Sequence, residues 1–473
     1  MKLFLSCIIG LFCFLPFHSQ AIHRKKDKVV NDTAFVVVSE VIIIGNVKTK
    51  EKVIIREIPF HVGDTIYSEL LDQTIQKTKD NLFNTSLFNF IHINTTNDFQ
   101  KYIKVYIVVE ERWYLWPYVI FEQADRNLSS FLNNKDWSRI NYGILLVKNN
   151  FRGRRETLKL KVRLGYKEQL QLFYQNPLFM GPSNHGITTE INWFRLKEVQ
   201  YNTISDKPVL YKDYSRYGQS FQNARFTYSY RRSMYLKHHF NIGYTYVAVS
   251  DTILHLNPNF LGTSGNYGQQ LNFNYTLEID KRNYKYYPLS GYNLEVTLSQ
   301  SGFGILKNEM AGVADIEASA YKYIEFEDRW FAGFGGTFKL STPFKQPYFT
   351  ERALGYEYTL RADEYYLIDG QHFETARAFL KYAIIPFNVR NIESWGWEKF
   401  NKIHYSLFVN AFVEQGYVYD VNPNATNRLP NSQLYSFGVG VDLVAYYDLI
   451  LRFEYSMNQL KQHGFFLNVG KAF

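Results

Sequence analysis

From Trp113 onward the chain alternates. In "TLKLKVRLGY", Thr157 to Tyr166, the residues Leu158, Leu160, Val162 and Leu164 fall on one side and Lys159, Lys161 and Arg163 on the other. A period of two predicts a strand. The pattern recurs near 113–123, 139–150, 157–165, 168–177, 187–200, 219–232, 236–250, 268–282, 291–300, 312–326, 329–342, 372–386, 404–420, 433–446, 448–459 and 463–473, with no helical period among these segments. Sixteen is an even number, as bacterial outer-membrane barrels have. The connections alternate in length: those near 124–138, 201–218, 251–267 and 343–371 are long, whereas several between them, such as "EDR" and "YYD", are tight. Long loops at one end and short turns at the other is the asymmetry of a membrane barrel.

Two architectures share the period. A soluble sandwich turns its leucines to a core; a membrane barrel turns them to lipid and its cations to a wet lumen. In "YSFGVGVDLVAYY", Tyr435, Phe437, Val439, Val441 and Leu443 oppose Ser436, Gly438, Gly440 and Asp442. In "LRFEYSMN", Leu451, Phe453, Tyr455 and Met457 oppose Arg452, Glu454, Ser456 and Asn458. An apolar exterior around a lumen of Arg, Glu, Asp and Gly is the economical reading; alternation alone leaves a secreted soluble all-β protein open.

The segment 35–112 has a different texture. It reads strand ("FVVVSEVIIIGN"), short helix ("KVIIREI"), longer helix from about Tyr67 to Leu82, and two strands ("SLFNFIHINTT", "YIKVYIVVEER"), a small β-α-α-β-β domain. Ahead of it lie a charged linker, 22–34, and "MKLFLSCIIGLFCFLPFHSQA", with Lys2, an apolar run broken by Pro16, and small residues at Ser19 and Ala21. That is the layout of a secretory leader, 1–21, and the run is shorter than the roughly 20 residues of a spanning helix. Both cysteines, Cys7 and Cys13, lie in this leader, so the mature chain is expected to carry no disulfide, thiolate metal site or cysteine nucleophile.

Composition sharpens the barrel reading. With 38 Tyr and 39 Phe, the chain is rich in rings that suit the aromatic girdles of a barrel. A net charge of +9 fits anionic headgroups or a cationic lumen, and export makes nucleic acid an improbable partner. Enzyme chemistry finds no motif. His238 and His239 are adjacent, so a strand turns them to opposite faces, and His185, His372 and His463 stand isolated. No cofactor is expected. "NFRGRRE" reads as a cationic inner turn near headgroups.

The segment "IIIGNVKTKEKVIIREIPFHVGDT" with "NLFNTSLFNFIHI" resembles a POTRA domain through Ile44-Gly45-Asn46, Thr49, Ile54, Arg56-Glu57, Gly63, Asn81-Leu82-Phe83 and Leu87-Phe88. The segment 113–473 resembles the barrel of the BamA/TamA-like superfamily of outer-membrane assembly factors and secretion pores. The final "FFLNVGKAF" resembles the C-terminal signal of such barrels, with Lys471 breaking its apolar face. The resemblance implies a mainly β fold, an antiparallel transmembrane barrel of about sixteen strands behind one α+β POTRA domain, in a Gram-negative outer membrane with the POTRA domain in the periplasm. It implies that the sixth outer loop, 343–371, folds into the lumen. "LRADEYYLIDGQ" then supplies Arg361 as the tip arginine, with Ala362 and Asp363 where the family has glycine and an aromatic. "FVEQGYVYD" supplies Glu414 as its first acidic partner, with Asp442 as the second.

On this resemblance the function is insertion of outer-membrane proteins, with unfolded barrel clients, outer-membrane lipids and accessory periplasmic or lipoprotein subunits as partners. A lateral seam between the first and last strands is marked by Trp113, Pro117, Gly470 and Phe473, because proline donates no ladder bond and is tolerated at edges. A client-holding edge is expected along 88–96, at Phe88, Phe90 and His92. A polypeptide secretion pore, a passive channel and a noncatalytic barrel subunit of a surface complex remain the alternatives.

Overall fold

The computed structural model describes residues 34–99, 101–123, 140–180, 184–213, 217–391 and 402–470. The expected leader 1–21, the linker up to residue 33, the connection 124–138 and Phe473 lie outside them.

The N-terminal domain is a four-stranded sheet with two helices. β1 (Phe35–Ile44) is followed by α1 (Glu51–Ile55), β2 (Thr65–Tyr67), α2 (Ser68–Phe83), β3 (Phe88–Asn97) and β4 (Tyr102–Glu111). The sheet order is β2-β1-β4-β3, with β1 parallel to β4. Alternation does not reveal β2, since three residues carry too little pattern; its pairing with β1 sets it. Ile54 and Leu82 of the helices close a core with Val38, Phe88 and Ile107 of the sheet. Gly45 makes the turn after β1 at φ +94, where a Cβ would stand 2.1 Å from the Val109 carbonyl oxygen, so no side chain fits.

Sixteen strands then form one antiparallel sheet in chain order. They begin with β5 (Leu115–Gln123), β6 (Ile140–Phe151), β7 (Glu156–Gly165), β8 (Lys167–Asn176) and β9 (His185–Leu196). A separate hairpin, β10 (Glu198–Ile204) and β11 (Lys207–Lys212), interrupts the sheet before β12 (Gln219–Arg231) and β13 (Leu236–Val249). After α3 (Asp251–Leu256) come β14 (Tyr267–Asp280), β15 (Gly291–Ser301), β16 (Val313–Glu327) and β17 (Trp330–Thr342). The connection 343–371 holds the short pair β18 (Arg352–Leu354) and β19 (Ile368–Asp369). The sheet ends with β20 (His372–Asn391), β21 (Lys402–Tyr419), β22 (Gln433–Ala445), β23 (Leu449–Asn458) and β24 (His463–Gly470). Each segment read from alternation corresponds to one of these strands. Among the described residues no ladder joins β5 to β24, the two ends of the sheet.

The faces sort as a barrel requires. Lipid-side residues stand bare, with Val119 84%, Ile242 60% and Phe465 86% exposed, whereas Glu414, Asp442 and Glu454 on the other face are buried. Inside, Lys159 Nζ lies 4.8 Å from the Phe173 ring centre. Arg163 reaches Glu122 at 3.3 Å across β6, where Gly143 offers no side chain. The cations of "TLKLKVRLGY" therefore face the lumen.

Substitution should read out this sorting. Ile242→Lys on the apolar face is expected to cost about 2–4 kcal/mol if its site lies near the bilayer midplane, and Asn241→Lys on the lumen face much less. Denaturant titration in lipid vesicles, followed by heat-modifiable gel mobility, measures both.

Candidate functional site

Three features carry polar groups that packing alone does not require: the lumen loop, the domain–barrel junction and the open edges.

The connection 343–371 places a 3-10 turn, Arg361–Asp363, among lumen-facing side chains. The Arg361 backbone N–H donates to Glu414 Oε2 at 2.9 Å, and its guanidinium pairs with Glu414 Oε1 at 3.1 Å and Glu454 Oε1 at 2.8 Å. The same guanidinium lies 4.2 Å from the Phe412 ring centre. Glu414 is 1% exposed, so its charge depends on these cations. Arg377 adds a second, 3.6 Å from Glu414 Oε1, and donates to the Thr359 carbonyl of the loop.

The expectation that Asp442 is the second partner needs correction. Asp442 accepts from Arg452 Nε at 2.9 Å and from the Tyr287 hydroxyl at 2.7 Å instead. The register explains why: Asp442 opposes Arg452 and Gly440 opposes Glu454, so Glu454 stands one lumen-facing pair closer to the tip. Alternation already placed Glu454 on this face; the reach of a folded-in loop was the missing information.

The tip also grips the last two strands from inside. Asn458 Nδ2 donates to the Ala362 carbonyl at 3.3 Å and to Asp363 Oδ1 at 3.0 Å. Asn468 Nδ2 donates to Glu364 Oε1 at 3.2 Å, the Tyr365 and Phe466 rings lie 5.8 Å apart, and the Tyr366 hydroxyl donates to Gln462 Oε1 at 2.7 Å. Above the tip, Asp206 in the β10–β11 turn accepts from the backbone of Arg428 and Leu429, and its own carbonyl accepts from Leu367 N–H at 2.9 Å. These loops cover the outer mouth with an apolar cluster that includes Leu354, Leu360, Ile368, Val418 and Leu429.

The N-terminal domain occupies the other mouth. Glu57 accepts from Arg231 at 2.8 and 2.7 Å and pairs with Arg155 at 3.2 Å. Arg112, buried, donates to both oxygens of Asp448 at 2.8 and 3.2 Å, where the Tyr284 hydroxyl also donates at 2.5 Å. Gly153 O accepts from Lys50 N–H at 2.9 Å, and a Cβ on Gly153 would stand 2.1 Å from the Lys48 carbonyl oxygen. The cationic turn "NFRGRRE" therefore docks on the domain rather than standing free near headgroups. Its arginines looked like solvated charges because the acid that pairs with Arg155 comes from ninety-eight residues earlier. Between domain and barrel lies a chamber of 540 Å³ lined by Lys159, Arg231, Lys237, Lys285 and Glu278 among others.

At the seam, Trp113 N–H donates to the Tyr447 hydroxyl at 3.0 Å, its indole N–H donates to the Leu115 carbonyl, and Pro117 sits within β5 opposite Leu146. Gly470 ends β24 opposite Ile450. In the N-terminal domain β3 is an edge strand. Phe88 is a core residue, 0% exposed, and Phe90 packs edge-on against His404 of the barrel at 6.4 Å. Neither offers a free side chain to a client; His92 does, being exposed. His238 and His239 contact Tyr275 and Glu278 respectively, on opposite faces of β13.

Residues 36–112 match the family model described as POTRA, surface antigen variable number repeat. The whole chain is similar in structure to CdiB from Escherichia coli, with TM-score 0.57 and 11% identity over 93% of this chain and 76% of that one. CdiB from Acinetobacter baumannii gives TM-score 0.50 and 12% identity over 92% and 73%. BamA from Haemophilus ducreyi lacking POTRA domains 1–3 aligns over 92% of this chain and 85% of its own, at 13% identity and TM-score 0.49. A search by sequence among curated proteins gives no match. At these identities the fold is what is shared.

The junction makes a pH-dependent contact. Burial alone would raise the Glu57 carboxyl, but the hydrogen bonds from Arg231 and the charges of Arg155 and Arg231 hold it down to about 2, against 4.5 ordinarily. A depressed carboxyl contributes its docking energy in full above pH 4.5 and loses it as pH falls toward 2. Glu57→Gln leaves two partly buried arginines without their counter-charge, which costs up to about 3 kcal/mol. Faster hydrogen exchange across the domain–barrel contacts is expected for Glu57→Gln at neutral pH, and for the parent chain only on acidification. A POTRA domain clamped to the inner mouth of a sixteen-stranded, lipid-faced barrel gives this chain the fold it shares with CdiB, that of an outer-membrane barrel with a periplasmic POTRA domain.

Proposed function

We propose that the protein inserts other barrels into the outer membrane through the edge between β5 and β24. One observation carries the reading: the POTRA domain and the outer loops sit at the two mouths, while among the described residues the side wall ends in two strands with no ladder between them. A barrel built as a conduit needs an open axis; a barrel built to template strands needs an open edge. Unfolded outer-membrane proteins are the clients, met first by the exposed part of β3 from His92 to Asn97 and then by the seam. Arg361, Glu414 and Glu454 hold the loop that keeps the lumen shut meanwhile. Accessory periplasmic or lipoprotein subunits would bind the exposed surface of the POTRA domain. The chemistry is association and strand exchange, with no catalytic residue.

Depletion of the protein tests this: other barrels are expected to disappear from the outer membrane while their precursors accumulate in the periplasm. Unchanged barrel levels would sink it.

A polypeptide secretion pore is the second reading, favoured by the cation-lined chamber at the inner mouth. Arg361→Ala removes the clamp on two buried acids. Under the insertion reading, single-channel recordings in planar bilayers should stay near background, since the POTRA domain and outer loops still cap the axis. A stable rise in conductance would favour the pore.

A further inference from the structure

We propose that the chamber between the POTRA domain and the barrel is a binding site for a phosphate group carried on a small hydroxylated body, such as a glycerol or sugar phosphate. The inference concerns a ligand rather than the route of a client, and it holds whether the barrel inserts or exports polypeptide.

The chamber holds more positive charge than its own acids neutralise. Arg56 comes from the POTRA domain just after α1, Arg155 from the β6–β7 turn, Arg231 from the end of β12, Lys237 from the start of β13 and Lys285 from the β14–β15 turn. Against these five stand Glu57 and Glu278. Glu57 is shared by Arg155 and Arg231. Glu278 is shared by Lys237 at 2.7 Å, His239 at 3.1 Å and Lys285 at 3.7 Å. Asp280 lies 3.4 Å from Lys285, but the Arg282 guanidinium already donates to both of its oxygens at 2.9 and 2.8 Å. The neighbouring Arg112 and Asp448 cancel each other.

Arg56 shows the imbalance most directly. Its terminal nitrogen donates to the Pro177 carbonyl at 2.7 Å, while its Nε is buried and has no hydrogen-bond partner among the described residues. Burial, and then the charge of Arg231, push this guanidinium down to about 10 from 12.5. A buried donor left unpaired is costly, and a bound anion would relieve both the donor and the crowded charge. The arrangement favours phosphate over carboxylate. The cations enter from five separate segments, and a tetrahedral oxyanion accepts from several directions at once, whereas a carboxylate accepts close to one plane. Guanidinium forks also match phosphate oxygens two at a time. Beside the cations the wall carries Asn149, Asn176, Asn184 and Thr188, uncharged groups that suit hydroxyls on the body bearing the phosphate. A volume of 540 Å³ lies within the range of small-molecule sites.

Equilibrium dialysis of the full chain against radiolabelled glycerol 3-phosphate, in uncharged detergent at low ionic strength, tests the site. Saturable binding is expected, displaced by inorganic phosphate and not by succinate. Arg56→Gln and, separately, Lys285→Gln should each weaken it about tenfold while heat-modifiable mobility is retained. Lys167→Gln, at the far end of β8 from Asn176, should leave it unchanged. Hydrogen exchange at the Lys50–Gly153 contact then distinguishes the sources of the phosphate. Slower exchange in phosphatidylglycerol vesicles than in phosphatidylcholine vesicles, lost in Arg56→Gln, assigns the group to a lipid headgroup; slowing only when glycerol 3-phosphate is added assigns a soluble ester. No saturable binding together with unchanged exchange in every case overturns the proposal, as does binding that survives both variants or that succinate displaces.

Discussion

Hydrocarbon offers no partner for a backbone N–H or carbonyl, so a sheet in a membrane must close or find another way to occupy its edges. Everything else in this protein is arranged around that constraint. Fourteen of the sixteen strands have a neighbour on each side, and only the outer edges of β5 and β24 lack one among the described residues. The exposure is confined to a single line down the barrel wall. On β5 it is reduced further by a proline and by an indole folded back onto its own strand.

A charge network inside the barrel fixes the loop to that wall. Arg361 bridges Glu414 and Glu454; Arg452 bridges Glu454 at 3.5 Å and Asp442; and Lys381, buried, lies 3.7 Å from the ring of Tyr287, which itself donates to Asp442. Each acid here is desolvated and each is shared, so the members stabilise one another and their deletions would not add. The network spans β20 to β23, and the loop tip extends it to β24. Loop, wall and last strand thus behave as one body. Ala362 offers a carbonyl and Asp363 a carboxylate to Asn458.

Most of the architecture was legible because side-chain period is a local property. Leu158 and Lys159 declare their faces whether or not the rest of the barrel is known, and so do Phe453 and Glu454. The short β2 was not legible, because three residues show no period and their pairing with β1 comes from across the sheet. The site was legible in part. Arg361 and Glu414 could be named from resemblance, but choosing Glu454 over Asp442 required the β22–β23 register and the depth of the loop tip. Glu57 with Arg155 and Arg231 could not be read at all, since the domain–barrel contact joins segments that share no local pattern.

That contact has a mechanical consequence for the edges. Arg112 ends the POTRA domain and immediately precedes Trp113 at the foot of β5, while its partner Asp448 immediately precedes β23, the strand on which β24 is laddered. Trp113 itself is bonded to Tyr447 in the same turn. A single turn, Tyr446–Asp448, therefore joins the domain to the roots of both open strands. Displacement of the POTRA domain would load β5 through the chain and β23–β24 through Asp448, at the end of the seam nearest that domain. The bidentate, buried Arg112–Asp448 pair transmits such a load because neither charge can leave the other without exposure to an unsolvated interior.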